Sequence, residues 1–177
     1  PGEALAVYQA AVSRGIADEE LKANYGLALC EGGKPEEAVR LLSPFTGSDQ
    51  PDSLNALGVA LADSGHAPEA VHVFHRVIAL DPENVEAYGN LGIVRLCSSD
   101  AIGARDFFRR ALDIDPRYPR AWNGLGVALA QLRDERGAIE CWEKAVALDP
   151  KLYDALFNLG LTAGRNGLRE QSRRALE

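Results

Sequence analysis

Methionine is absent from this chain, and cysteine occurs only at Cys30, Cys97 and Cys141. An odd number of cysteines, far apart and without CxxC spacing, supports neither a disulfide framework nor a zinc knuckle. They read as buried or half-buried thiols of a reducing compartment. That points to the cytoplasm, or to the periplasm if an N-terminal signal has been removed. No apolar run approaches the ~20 residues that cross a bilayer, so membrane insertion is not expected. Basic residues are also in deficit: 19 Lys and Arg against 26 Asp and Glu leave a net charge of −7. That balance argues against nucleic acid as a partner. The deficit sits in residues 1–84, which carry five basic and 13 acidic residues, while residues 85–177 carry 14 and 13. The acidic half is either a solvated surface or one that favours basic partners.

Catalytic groupings are missing as well. There is no glycine-rich phosphate loop, no nucleophile–base pair and no cluster of titratable residues. No catalytic residue, cofactor or metal is therefore expected. His72 and His75 are three apart, with His66 just before them, but no carboxylate or thiol completes a metal set. They read as surface or packing histidines.

What the chain does have is a period. Gly26, Gly58, Gly92, Gly126 and Gly160 follow one another at intervals of 32, 34, 34 and 34 residues. In step with them run a small column, Ala4, Ala38, Ala70, Ala104, Ala138 and Ser172, and a bulky one, Tyr8, Leu42, Phe74, Phe108, Trp142 and Leu176. Coincident columns at one period mean stacked repeats. In the clearest copy, Ala121–Leu132 places Trp122, Leu125, Gly126 and Leu129 on one helical stripe. Glu135–Leu148 does the same with Ala138, Trp142, Ala145 and Val146. Asp149-Pro150 stops the second helix, as Asp81-Pro82 and Asp115-Pro116 do elsewhere. Each copy is a helical hairpin that buries its apolar stripe by stacking on its neighbours. Glycine on the first helix and alanine on the second read as points of close backbone approach, with the bulky column filling the space between hairpins. Gly33, Gly65 and Gly167 supply a positive-φ residue to the hairpin turn. Ser99 and Arg133 stand at the equivalent places, which predicts differently built turns there.

The combination Trp122, Leu125-Gly126, Leu129, Ala138, Trp142, Ala145 and Pro150 resembles the tetratricopeptide repeat family. So do Tyr88, Leu91-Gly92, Ala104, Phe108, Ala111 and Pro116, with Arg95 where a large apolar residue belongs. Leu54, Leu57-Gly58, Leu61, Ala70, Phe74 and Pro82 fit too, with Val77 in place of alanine. The resemblance covers essentially the whole chain. It implies an all-α, right-handed α-solenoid of antiparallel helix hairpins. In that frame residues 1–18 are the second helix of a truncated repeat, 19–50 an irregular repeat 1, 51–84 repeat 2, 85–118 repeat 3, 119–152 repeat 4 and 153–177 a truncated repeat 5. The chain thus reads as a stretch of a longer array, and the missing initiator methionine fits that reading. In repeat 1, Ser43-Pro44 predicts an early end or a kink in the second helix.

The resemblance also implies a function, a protein-interaction scaffold whose groove is lined by the first helix of each hairpin and takes a protein or peptide client. The basic and asparagine constellation with which some members grip a terminal carboxylate has no counterpart here. The central groove positions Leu27, Val59, Ile93, Val127 and Leu161 are all apolar. Asparagines flank them: Asn24, Asn90 and Asn158 lie two residues before the glycine, and Asn55 and Asn123 three before it. The first set is similar to the asparagine ladder that binds a polypeptide backbone in the O-linked N-acetylglucosamine transferase group. Ala56 and Gly124 interrupt it. An amide offers a donor and an acceptor, and it serves equally for a client backbone or for bonds within and between helices. With Phe157 near one end, the groove suits an extended or helical peptide with apolar side chains. Two other roles fit the same features. One is a substrate-recruiting segment of a larger enzyme, such as a glycosyltransferase. The other is a self-assembling organising protein, in which the basic run Arg165, Arg169, Arg173 and Arg174 meets an acidic N-terminal region head to tail.

Overall fold

The computed structural model describes residues 2–15 and 18–165. Gly167, Ser172, Leu176 and the arginines at 169, 173 and 174 lie outside the described residues, as do the side chains of Ala4 and Arg165. The described chain is helical and turns back after every helix. In order these are α1 (Gly2–Ser13), α2 (Glu19–Glu31), α3 (Pro35–Leu42), a 3₁₀ stretch (Ser43–Gly47), α4 (Pro51–Asp63), α5 (Ala67–Leu80), α6 (Val85–Cys97), α7 (Ala101–Ile114), α8 (Pro119–Gln131), α9 (Glu135–Leu148) and α10 (Tyr153–Arg165). The chain forms two compact units, residues 1–90 and 91–177, divided within α6. In the first, α2 packs on α1, α3 and α4, and α4 also packs on α3 and α5. In the second, α8 packs on α7, α9 and α10. Helix α4 is enclosed on most sides, and the consecutive residues Ser53 to Gly58 are all buried.

The glycine column faces the bulky column rather than a neighbouring backbone. A Cβ at Gly58 would stand 2.5 Å from Phe74 Cε1, and one at Gly126 would stand 2.5 Å from Trp142 Nε1. Phe108 presses on Gly92 of its own hairpin and on Gly124 of the next. The bulky residue is therefore seated in a slot that only a missing side chain provides. The alanines of the second helices, Ala38, Ala70, Ala104 and Ala138, are fully buried beside it. Phe74 and Phe108 are the largest fully buried side chains. Overpacking such a contact by a single methyl costs about 1–3 kcal/mol.

The second helices stop where Asp-Pro predicts, and the aspartate contributes as much as the proline. Asp81, Asp115 and Asp149 each accept a bond from the amide two residues on, at 3.2, 2.9 and 2.9 Å. Their backbone amides close the last helical turn on Val77, Ala111 and Ala145. The side chain thus folds its own turn while the proline withholds a helical donor.

The hairpin turns correct one expectation. Ser99 and Arg133 have φ of 60° and 67°, close to the 73° and 84° of Gly33 and Gly65. All four turns carry the same reverse bond, from Lys34 to Leu29, His66 to Leu61, Asp100 to Arg95 and Asp134 to Leu129, at 2.8 to 2.9 Å. The helix end dictates this geometry, whatever residue occupies it. A side chain in the left-handed region costs about 1–2 kcal/mol. In both of these hairpins the next residue is an aspartate that caps the following helix. Asp100 accepts from Gly103 N at 2.9 Å and Asp134 from Gly137 N at 3.0 Å. The glycine-turned hairpins have no side-chain cap at Lys34 or His66 and open instead with Pro35 and Pro68. An N-cap contributes about 1 kcal/mol, so the aspartate offsets much of the strain.

As Ser43-Pro44 predicts, α3 ends early, at Leu42 after eight residues against 14 for α5, α7 and α9. The chain continues as five 3₁₀ residues. These rise about 10 Å, whereas six further α residues would rise about 9 Å, so the tighter helix covers the distance with one residue fewer. Its open carbonyl end is held by Arg76 of α5. The guanidinium donates to Thr46 O, to Gly47 O at 3.1 Å and to Asp49 Oδ1 at 3.2 Å.

The strained turns generate a prediction. Arg133→Gly and Ser99→Gly should each raise stability by about 1 kcal/mol, while Gly65→Ala should lower it by a similar amount. Urea denaturation followed by circular dichroism measures both signs. A destabilising Arg133→Gly would contradict this account of the turn.

Candidate functional site

The first helices of the first unit form a polar depression of about 320 Å³. Helix α2 contributes Glu20, Ala23, Asn24 and Leu27, α4 contributes Asp52, Asn55, Ala56 and Val59, and α6 contributes Glu86 and Asn90. All five sequence-predicted residues of this unit, Asn24, Leu27, Asn55, Val59 and Asn90, therefore line one hollow. They converge because residues three and four apart share a helix face, and because the 32- to 34-residue period sets equivalent helices side by side. Leu27 is exposed and Val59 half-buried, so the floor is apolar and open.

The asparagines have a division of labour that their spacing conceals. Asn55 is only 5% exposed, and its carbonyl oxygen accepts from Asn90 Nδ2 at 3.3 Å. Its own amide donates to Glu86 Oε2 at 3.2 Å and reaches Asn84 Oδ1 at 3.5 Å. Asn84 in turn caps α6 by accepting from Ala87 N at 3.0 Å, and it donates to Asp81 at 3.1 Å. A buried amide with no partner would cost a few kcal/mol, and here every group of Asn55 is engaged. Asn24 is exposed and makes no side-chain hydrogen bond among the described residues. Asn90, half-buried, keeps its carbonyl oxygen and one amide hydrogen for other use.

In the second unit Asn158 Nδ2 donates to Asn123 Oδ1 at 3.2 Å, the same pairing 68 residues on. The two registers of asparagine are thus two halves of one device. The residue three before the glycine receives the residue two before the next glycine. Ile93, Phe157 and Leu161 are exposed, Phe157 by 63%, and Val127 is half-buried. On α10, Tyr153 is 77% exposed and lies one turn before Phe157.

Three carboxylates in the first hollow, Glu20, Asp52 and Glu86, are the part of the site that the sequence reading missed. The signal was present, since each stands six residues before its glycine, with Arg120 and Asp154 in the same column further on.

The remaining candidates are placed plainly. Cys97 is exposed, contrary to the expectation of buried or half-buried thiols, because it is the last residue of α6 beside the turn at Ser98 and Ser99. Cys30 is half-buried and Cys141 buried, and burial pushes both thiols up to about 11. Arg95, in the slot of a large apolar residue, keeps a buried Nε with no partner, while its Nη1 lies 3.7 Å from Asp100. Among the described residues no three His, Cys, Asp or Glu side chains are grouped to hold a metal ion. Among them, too, no helix is long and apolar enough to cross a membrane.

Two models described as tetratricopeptide repeat match the chain, over residues 55–119 and 119–152, together more than half of its length. The chain belongs to the tetratricopeptide repeat family. No curated protein matches it in sequence. Among solved structures it is similar to MamA from Desulfovibrio magneticus RS-1 (residue 41 to the end). The identity is 28%, the match covers 90% of this chain and 92% of that one, and the TM-score is 0.70. Two others are alike in fold alone. The structure titled as the Cut9-Hcn1 hetero-tetramer of the APC/C matches at 18% identity, over 99% of this chain and 35% of that one, with a TM-score of 0.85. Pseudomonas aeruginosa PilF matches at 20%, over 89% and 72%, with a TM-score of 0.77. The tetratricopeptide repeats form an all-α solenoid fold and make this chain a protein-interaction scaffold.

The asparagine pairing and the thiols each generate a test. A double-mutant cycle on Asn123→Ala and Asn158→Ala should show a coupling of about 1 kcal/mol in thermal or urea unfolding, the net worth of a protein hydrogen bond. Strict additivity would mean that the bond contributes nothing. With maleimide near neutral pH, Cys97 should be modified well before Cys30 and Cys141, whose thiolate forms are scarce there. Mass mapping of the labelled peptides shows the order.

Proposed function

We propose that each unit captures an extended segment of a partner protein on the face formed by its own first helices. Asn24, Asn90 and Asn158 address the client backbone, and Leu27, Val59, Ile93, Val127, Phe157 and Leu161 receive its apolar side chains. The observation that carries this reading is the hollow of the first unit. It brings the amide of Asn24, together with the carbonyl oxygen and remaining amide hydrogen of Asn90, beside the exposed Leu27 and half-buried Val59 in one open depression. A backbone segment needs a donor and an acceptor at a grip point together with apolar surface for its side chains, and the asparagines and the Leu27–Val59 floor of the hollow supply them. Asn55 and Asn123 are positioning residues, since each spends its carbonyl oxygen in orienting the asparagine of the next first helix.

Photo-crosslinking tests the face. A benzophenone side chain at Leu27 or Leu161 should yield adducts with a client segment, while one at His72 or Ile102, on second helices, should not. Adducts confined to the second-helix positions would refute the proposal.

A further inference from the structure

The hollow of the first unit has a charge as well as a shape. Its lining includes three carboxylates, Glu20, Asp52 and Glu86, and no lysine, arginine or histidine. Glu86 is engaged by Asn55 at 3.2 Å. Glu20 and Asp52 are exposed, and neither has a hydrogen-bond or ion-pair partner among the described residues. Of the five basic side chains of residues 1–84 none lines the hollow, Arg14 and Arg40 included, and the other three are engaged elsewhere. Lys22 lies over the Phe45 ring at 5.6 Å, Lys34 pairs with Glu37 at 3.4 Å, and Arg76 grips the 3₁₀ end. The surplus negative charge of residues 1–84, five basic against 13 acidic, therefore has an unneutralised share on the face where the side-chain amides of Asn24 and Asn90 also lie.

Accepting the groove reading above, we infer that the segment taken by the first unit is cationic, an extended stretch carrying lysine or arginine side chains. The backbone would be held by Asn24 and Asn90, and the positive side chains would reach Glu20 and Asp52, which stand at equivalent places two helical turns before Leu27 and Val59. The geometry fits that occupant on three counts. The carboxylates repeat with the helices, so they meet successive side chains of an extended segment rather than a single point. They lie in an open depression, where cationic heads keep part of their hydration and their stems cover apolar surface. An acidic segment would bring like charge against two carboxylates, a repulsive element that sets partner choice, and a neutral one would gain no charge pairing. The equivalent column in the second unit reads Arg120 and Asp154, so this preference belongs to the first unit alone.

The test uses the whole chain and three matched fluorescent peptides with lysine, glutamine or glutamate at the same positions of a leucine–serine frame. Fluorescence anisotropy should show binding of the lysine peptide, weakened as salt rises through ~0.15 M, where the screening length falls to about 8 Å. The double variant Glu20→Gln/Asp52→Asn should weaken it on the order of 10-fold, as two partly exposed pairs allow. The control Glu31→Gln/Glu36→Gln removes the same charge away from the hollow and should leave binding unchanged. Val59→Trp, checked for folding by circular dichroism, should block the hollow and abolish binding. Equal affinity for the glutamine peptide, or no effect of Glu20→Gln/Asp52→Asn, would overturn the cationic preference, and loss with Val59→Trp would then still leave a groove binder. Lysine-peptide binding that survives Val59→Trp would place the contact elsewhere and overturn both readings. Failure of the lysine peptide to bind at all would overturn the inference itself.

Discussion

The seating of a large side chain on a glycine is the contact on which this architecture depends. Phe74 on Gly58, Phe108 on Gly92 and Trp142 on Gly126 each join the two helices of one hairpin, and Phe108 also reaches Gly124 of the following hairpin. A ring closes a wide gap between helices only if the opposing helix offers no Cβ, and the glycines supply that room at the expense of some helix propensity. Because the pairing recurs in register, it fixes how far each hairpin's first helix stands from its second. That distance decides which residues of the first helices face outward. Asn90 lies two residues before Gly92 and Asn55 three before Gly58, so the amide pair inherits its placement from the same contacts.

A repeat can absorb local departures provided the seat is kept. In the first complete hairpin the seat is Leu42 on Gly26, and helix α3 ends at that leucine. The 3₁₀ stretch then carries the chain forward, and Arg76 from the next hairpin satisfies its carbonyls. At Ser99 and Arg133 a left-handed turn is kept without glycine, and Asp100 and Asp134 return stability through the caps that follow. In each case the backbone path is held and the chemistry that supports it is exchanged.

These exchanges explain what was legible beforehand. Helix stops at Asp-Pro, the early end of α3 and the positions of the groove residues follow from one chain read alone, because they depend on local chemistry and on period. The left-handed Ser99 and Arg133 were misread because residue preference was weighed without the requirement of the helix end itself. The glycine slot was assigned to backbone contact because periodicity tells which residues align and not which columns touch. Cys97 was expected to be buried or half-buried since cysteine usually is, but its place at the end of α6 leaves it open. At the site, the placing of Leu27, Val59 and the asparagines was legible from period, whereas the acidic half was legible only as a total, a solvated surface or one that favours basic partners, and not as Glu20, Asp52 and Glu86 in one column.

The asparagine pairs repeat with a longer period than the hairpins that carry them. Hairpins repeat every 34 residues, but the Asn55–Asn90 and Asn123–Asn158 bonds repeat every 68. Within a pair one amide is consumed in orienting the other, so two adjacent hairpins present one aimed asparagine rather than two free ones. The pairs are also not equivalent. In the first unit Asn55 continues into Asn84, Asp81 and Glu86, so the stop of α5, the cap of α6 and the aimed amide of Asn90 belong to a single polar network. In the second, the residue equivalent to Asn84 is Leu152 and the network contracts to the pair itself. Successive asparagine pairs built on one scaffold therefore differ in rigidity and in charge, and under the proposed groove reading it is these differences between repeats, not the features they share, that discriminate among clients.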